Sequence, residues 1–117
     1  MSNPVMQFQI LSNAPDESAN FYSSLFGWTV NTDNPLGYRE ISTGSNKGIQ
    51  GGIWPAPPQA TGFVQLFVEV DDLAACVRRA QEMGAKLIIP PTSLPAGGEL
   101  AVLHDPQGIP FGVMKSS

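Results

Sequence analysis

Charge is scarce in this chain of 117 residues. Asp, Glu, Lys and Arg make up 14% of it, and ten acids face six bases, for a net charge of −4. That balance argues against a nucleic-acid partner, which needs a basic face. A mildly acidic surface also suits a cationic ligand, although such a balance more often reflects plain solubility. Cysteine is down to one, Cys76, so no internal disulfide can form and a reduced, cytoplasmic setting is expected. Long apolar runs are missing: none approaches the roughly 18 residues of a membrane-spanning helix. Met1 to Ile10 has no basic stretch leading into an apolar one, so no signal peptide is expected. No Ser/His/Asp order, phosphate-cradling glycine loop or zinc spacing occurs. Glycine and proline, by contrast, are plentiful at 12 and 11 residues, and 42% of the chain is hydrophobic. Short strands and tight turns around one modest core fit this composition better than disorder does.

The chain reads as one half-domain written twice. Gln7-Phe8-Gln9-Ile10 opens the first half and Gln65-Leu66-Phe67-Val68 the second. A helix-like segment follows each and ends at Gly27 or Gly84, 20 and 19 positions on. Each half then passes a glycine turn, Gly37-Tyr38 or Gly97-Gly98, into a closing strand at Gly52-Ile53 or Gly112-Val113. A repeat of this kind governs the whole fold.

Met6 to Leu11 alternates polar and apolar residues, as a strand with one buried face does. Pro15 suits a first helical turn behind Asn13 or Ala14, with Ala19, Tyr22, Leu25 and Phe26 at helical spacing and Gly27 just past the end. Strands are expected over Trp28–Val30, Tyr38–Thr43 and Ile49–Trp54, with a turn at Asp33–Gly37. Pro55 to Gly62 reads as a stiff, extended linker. Phe63–Val70 is the next strand, and Asp71-Asp72 caps a helix whose apolar stripe is Leu73, Cys76, Val77, Ala80 and Met83. Lys86–Ile89 is a strand stopped by Pro90-Pro91. Glu99–Leu103 and Pro110–Lys115 flank a tight turn at Asp105–Gly108. The order is β-α-β-β-β twice within a single domain: module one at about 5–54, the linker at 55–62, and module two at about 63–115.

Several strings, taken in order, resemble the vicinal-oxygen-chelate superfamily, which includes glyoxalase I, extradiol dioxygenases and bleomycin-resistance proteins. They are Phe21-Tyr22-x-x-x-Phe26-Gly27-Trp28, Gly51-Gly52-Ile53, Val68-x-Val70-Asp71-Asp72, Gly84-Ala85, Asp105-Pro106-x-Gly108 and Phe111-Gly112. The resemblance runs from about Val5 to Met114. It implies an α+β fold, glyoxalase-like, with two tandem βαβββ modules forming a curled mixed sheet around a cleft, and commonly a homodimer. Metal-using members carry His, Gln or Glu on the first strand of each module and a further ligand on the last. Those positions fall at Gln7, Gly52 (Gly51 if the register slips), Gln65 and Gly112. Glycine has no side chain to offer, and two neutral amides are poor ligands for a divalent ion. The expectation is therefore no cofactor, with the usual metal site lost.

Strand alternation puts Gln9 on the cleft face with Gln7, Gln65 with Phe67 and Glu69, and Trp54 with Gly52. The expected ligand-binding cleft is thus Gln7, Gln9, Gly52, Trp54, Gln65, Phe67, Glu69 and Gly112. Its two closing-strand glycines leave room for a ligand to approach the backbone. On this view Gly112→Phe fills the cleft and leaves the fold intact. The bland alternative is that Gln7 and Gln65 only bond each other or water. His104 and Tyr38 read as structural, Cys76 as an inert core residue, and no catalytic residue is assigned. The leading reading is a glyoxalase- or bleomycin-resistance-like protein that binds a small organic molecule. Besides a purely structural or regulatory module whose cleft is filled by its own side chains, two alternatives stay open. One is a metal-dependent lyase, isomerase or dioxygenase with displaced ligands, drawn from residues such as His104, Glu69 or Glu99. The other is a protein that sequesters a cationic drug.

Overall fold

The computed structural model describes residues 3–34, 38–95 and 97–116. Its elements are β1 (Val5–Ser12), α1 (Pro15–Phe26), β2 (Thr29–Asn31), β3 (Arg39–Ser42), β4 (Gln50–Pro55), β5 (Phe63–Glu69), α2 (Leu73–Glu82), β6 (Lys86–Ser93), β7 (Glu99–His104) and β8 (Pro110–Lys115). This is the expected β-α-β-β-β order, twice over, in an α+β protein. The turn expected at Asp33–Gly37 includes residues 35–37, which lie outside the described residues.

The chain divides into two compact units, Gln7–Gln65 and Leu66–Ser117 with Met1–Met6. In the 7–65 unit the strand order is β2-β3-β4-β1. β4 lies parallel to β1, with Gln9 opposite Gly52 and Phe8 opposite Gly51, and antiparallel to β3, with Glu40 opposite Gly52. One face of this sheet packs on α1 through Ala19, Ile41 and Ile53, joined by Phe8, Ile10, Tyr22, Trp28 and Val30. In the other unit the order is β5-β8-β7-β6. β8 lies parallel to β5, with Phe67 opposite Gly112. Leu73, Val77, Ala101, Leu103 and Val113 form the core under α2, with Cys76 half-buried at its edge. The start of β1 belongs here too, since Pro4 accepts the Glu69 N–H at 2.9 Å.

The helix ends follow their sequence signals. Gly27 closes α1 at φ 72°, and its N–H returns to the Ser23 carbonyl. Asp72 caps α2 by accepting the Ala75 N–H at 3.0 Å. Ala14 precedes α1 without a side-chain cap, and the Ser12 hydroxyl instead accepts the Ala14 N–H.

Four expectations change. β6 does not stop at Pro90-Pro91 but runs on to Ser93. It is an edge strand with register shifts between Leu87 and Thr92, so the missing proline N–H groups interrupt no ladder that the fold depends on. The linker is not simply extended. Pro57 accepts the Ala60 N–H at 3.0 Å, and Gln59 sits at φ 69°, the third residue of a tight turn whose second residue is Pro58. Met83 is off the α2 core at 68% exposed, because it caps the helix end. Leu25 and Phe26 share the helical spacing of Ala19 yet lie outside the core, leaving Ala19 as the only buried residue of α1.

Candidate functional site

The face of the 7–65 sheet turned away from α1 carries Gln9 on β1, Gly52 and Trp54 on β4, and Tyr38 just before β3. Alternation places them there, because Phe8, Ile53 and Ile41 occupy the helix side. Tyr38 is held by its backbone: its N–H donates to Asn34 Oδ1 and its carbonyl accepts from Asn34 Nδ2. Its ring stacks on Trp54, 4.7 Å between centroids at 24°. The ring also lies directly over Gly52, so closely that a Cβ there would collide with the phenol.

The room expected above the glycines is therefore already taken. Tyr38 fills it at Gly52. In the other unit the Phe67 ring, 1% exposed, fills it at Gly112, where a Cβ would again collide. Gly112→Phe cannot leave the fold untouched, since even one added carbon must displace Phe67.

Gln65 donates from Nε2 to Gln9 Oε1 at 2.8 Å, and both side chains are buried, at 5% and 6% exposed. The β1 residue that meets Gln65 and stands opposite Gly52 is thus Gln9, while Gln7 stands opposite Gln50. Two buried side-chain atoms among the described residues have no hydrogen-bond partner, and both belong to this group: Tyr38 Oη and Gln65 Oε1. An orphaned buried polar atom costs about 1–3 kcal/mol. Burial pushes the Tyr38 phenol up from 10 to about 12. The Gln9 side chain pulls it down, from outside hydrogen-bond geometry, and the Glu40 carboxylate adds to the push. At neutral pH the phenol is a donor.

Glu69 accepts a hydrogen bond from Ser116 Oγ at 2.7 Å. His104 is half-buried in the β7 ladder, opposite Pro110 and Lys86. Burial raises the Cys76 thiol, as suits an inert core residue. Among the described residues no group of three His, Cys, Asp or Glu is placed to hold a metal ion. The four family positions do not fit one either, since Gly52 and Gly112 bear no donor atom and two neutral amides do not balance a divalent charge. Sequence alternation found Gln9, Gly52, Trp54 and Gln65, but it treated Tyr38 as turn packing, and only Tyr38's even spacing from Glu40 hinted at its place.

Residues 7–114 match the glyoxalase-like domain family. The chain belongs to that family. It is thereby a member of the vicinal-oxygen-chelate superfamily. CFP32 of Mycobacterium bovis and of Mycobacterium tuberculosis, which carries a provisional glyoxylase name, is 30% identical over 110 residues. That match covers 92% of this chain but 42% of CFP32, so the chain spans less than half the length of these relatives. Solved structures share the fold. Hypothetical protein BH1468 of Bacillus halodurans has a TM-score of 0.70 at 12% identity, covering 100% of this chain and 96% of its own. Methylmalonyl-CoA epimerase of Mycobacterium tuberculosis has a TM-score of 0.61 at 20% identity, covering 97% and 87%. The Streptomyces coelicolor epimerase, solved with 2-nitronate-propionyl-CoA, has a TM-score of 0.63 at 15% identity, covering 100% and 96%.

Two outcomes test this glyoxalase-like site. Gly52→Ala is expected to destabilise the chain by about 1–3 kcal/mol, the ordinary cost of overpacking. Tyr38→Ala added to it should remove most of that clash, so the double variant loses less than the sum of the two singles in denaturant titrations. Additive losses would mean the ring does not sit on Gly52. The second outcome concerns alkali. The raised phenol keeps its proton in the folded chain while the unfolded chain releases it above pH 10. Its contribution is therefore whole below pH 10 and is lost as pH rises toward 12. Tyr38→Phe should accordingly show a flatter fall in stability than the parent across pH 10 to 12, and equal slopes would show that this phenol is not held protonated.

Proposed function

We propose that the chain is a small-molecule-binding, glyoxalase- or bleomycin-resistance-like protein whose usual metal site has been lost, with its ligand seated against Tyr38, Gln9, Gln65 and Trp54. The observation that carries this reading is the buried donor–acceptor pair, Tyr38 Oη and Gln65 Oε1, left without partners beside a position that has no side chain. Native structures satisfy buried polar atoms with few exceptions, through protein groups, ordered water or a bound molecule, and the proposal assigns the third to this pair. Entry requires the half-buried Tyr38–Trp54 ring pair to tilt outward. Gln7, Phe67, Glu69 and Gly112 remain proposed members of the wider cleft. A reduced, cytoplasmic setting is part of the same proposal, resting on the single cysteine. No helix among the described residues is long and apolar enough to cross a membrane.

Elemental analysis of untagged protein, before and after dialysis against a chelator, is expected to find well under one divalent ion per chain. A tightly held, near-stoichiometric ion with turnover that chelator abolishes would replace this reading with a metal-dependent lyase, isomerase or dioxygenase. A homodimer is also proposed. Its support is the uncovered apolar side of α1, where Phe21, Leu25 and Phe26 are 59%, 59% and 57% exposed. Sedimentation velocity should give twice the 12.5 kDa chain mass, and a monomer at high concentration would remove the dimer.

A further inference from the structure

The unpartnered atoms also specify what kind of molecule could occupy the site. Resting on the binding reading above, we infer that the ligand is uncharged and presents both a carbonyl-type oxygen and an N–H or O–H, carried on a flat apolar body.

Each part of that description answers a feature of the 7–65 unit. Tyr38 Oη has no acceptor, so the ligand supplies one. Gln65 already gives its Nε2 to Gln9 Oε1, so the end left over is the carbonyl oxygen, which can only accept. A ligand N–H or O–H answers it. The Trp54–Tyr38 stack offers an aromatic surface, and flat apolar groups pack on such surfaces in offset or edge contact.

Charge follows from the same face. The unit has two bases, Arg39 and Lys47, against four acids. Arg39 is bound to Asp16 at 2.8 Å, and alternation turns it to the helix side, opposite Ile53. Lys47 lies in the exposed loop between β3 and β4. Glu40 is the charged group that acts on Tyr38. An anion brought here would be desolvated beside a carboxylate with no cation to meet it. A cation rich in N–H groups would turn donors toward the Tyr38 donor and leave it without an acceptor. The CoA compound bound by the Streptomyces epimerase is a multiply charged anion, and this face has no basic group suited to one.

Four probes of nearly equal shape separate these cases: benzamide, benzoate, benzamidinium and acetophenone. Titrated into the full chain and followed by amide chemical shifts, benzamide is expected to bind at least about tenfold more tightly than either charged probe. It should also bind more tightly than acetophenone, which lacks the donor, by about the worth of one hydrogen bond. Tyr38→Phe should weaken both benzamide and acetophenone, and Gln65→Met should erase the difference between them. Benzoate or benzamidinium binding as well as benzamide, in a manner lost in Tyr38→Phe, would overturn the uncharged class and leave the site standing. Acetophenone equalling benzamide in the parent would overturn the donor. If none of the four binds, the binding reading itself falls, and this inference with it.

Discussion

An aromatic ring seated on a glycine of a closing strand is the contact on which both units are organised. β4 and β8 each lie parallel to the opening strand of their unit, β1 or β5, and each has a glycine where a side chain would otherwise project away from the helix. Tyr38 takes that space at Gly52 and Phe67 takes it at Gly112. Close packing allows nothing else there, because the ring and a Cβ cannot share the volume. The two glycines are equivalent in the repeat but the rings are not: Phe67 stands opposite Gly112 on the opening strand, where Gln9 stands opposite Gly52, and Tyr38 comes from the segment before β3. The ring-on-glycine contact determines what lies on the face away from each helix: aromatic surface and backbone rather than a ring of ligating side chains.

The two units differ in what surrounds that contact. Phe67 is wholly apolar and buried, and its unit offers no orphaned buried side-chain nitrogen or oxygen among the described residues. Tyr38 brings a hydroxyl into the equivalent place, next to the buried Gln9–Gln65 pair. A phenylalanine would keep the ring but lose the hydroxyl, which is the atom nearest Gly52 and carries the cost of an unpartnered donor. The tyrosine and the two glutamines therefore make the 7–65 face, more than its counterpart, the place where a ligand would recover something. Family membership supplies the scaffold but not the chemistry. Structures below 25% identity speak for the fold alone, and CFP32 is more than twice as long as this chain.

Much of the architecture was legible in the residues. Period-two alternation located the strands, and Gly27 and Asp72 marked a helix end and a helix start by their backbone and capping chemistry. The repeat predicted the element order, and alternation brought Gln9, Gly52, Trp54 and Gln65 to one face. Where the reading failed, the cause was context. Pro90-Pro91 looked like a stop because a proline has no N–H to give, but an edge strand needs few of them. The apolar spacing of Leu25, Phe26 and Met83 looked like core, but spacing cannot say how wide a face the sheet covers.

By itself, the sequence determined the βαβββ repeat and the absence of side chains at positions 52 and 112, because periodicity, caps and glycine are local properties. Only the tertiary structure decided that Gln9 rather than Gln7 meets Gln65, since that depends on strand register. Only the tertiary structure, too, decided that Tyr38, read as turn packing, lies over Gly52 with its hydroxyl unpartnered. That arrangement depends on two segments about 14 residues apart in sequence becoming neighbouring strands, and no local pattern encodes which side chain then fills the gap above a glycine.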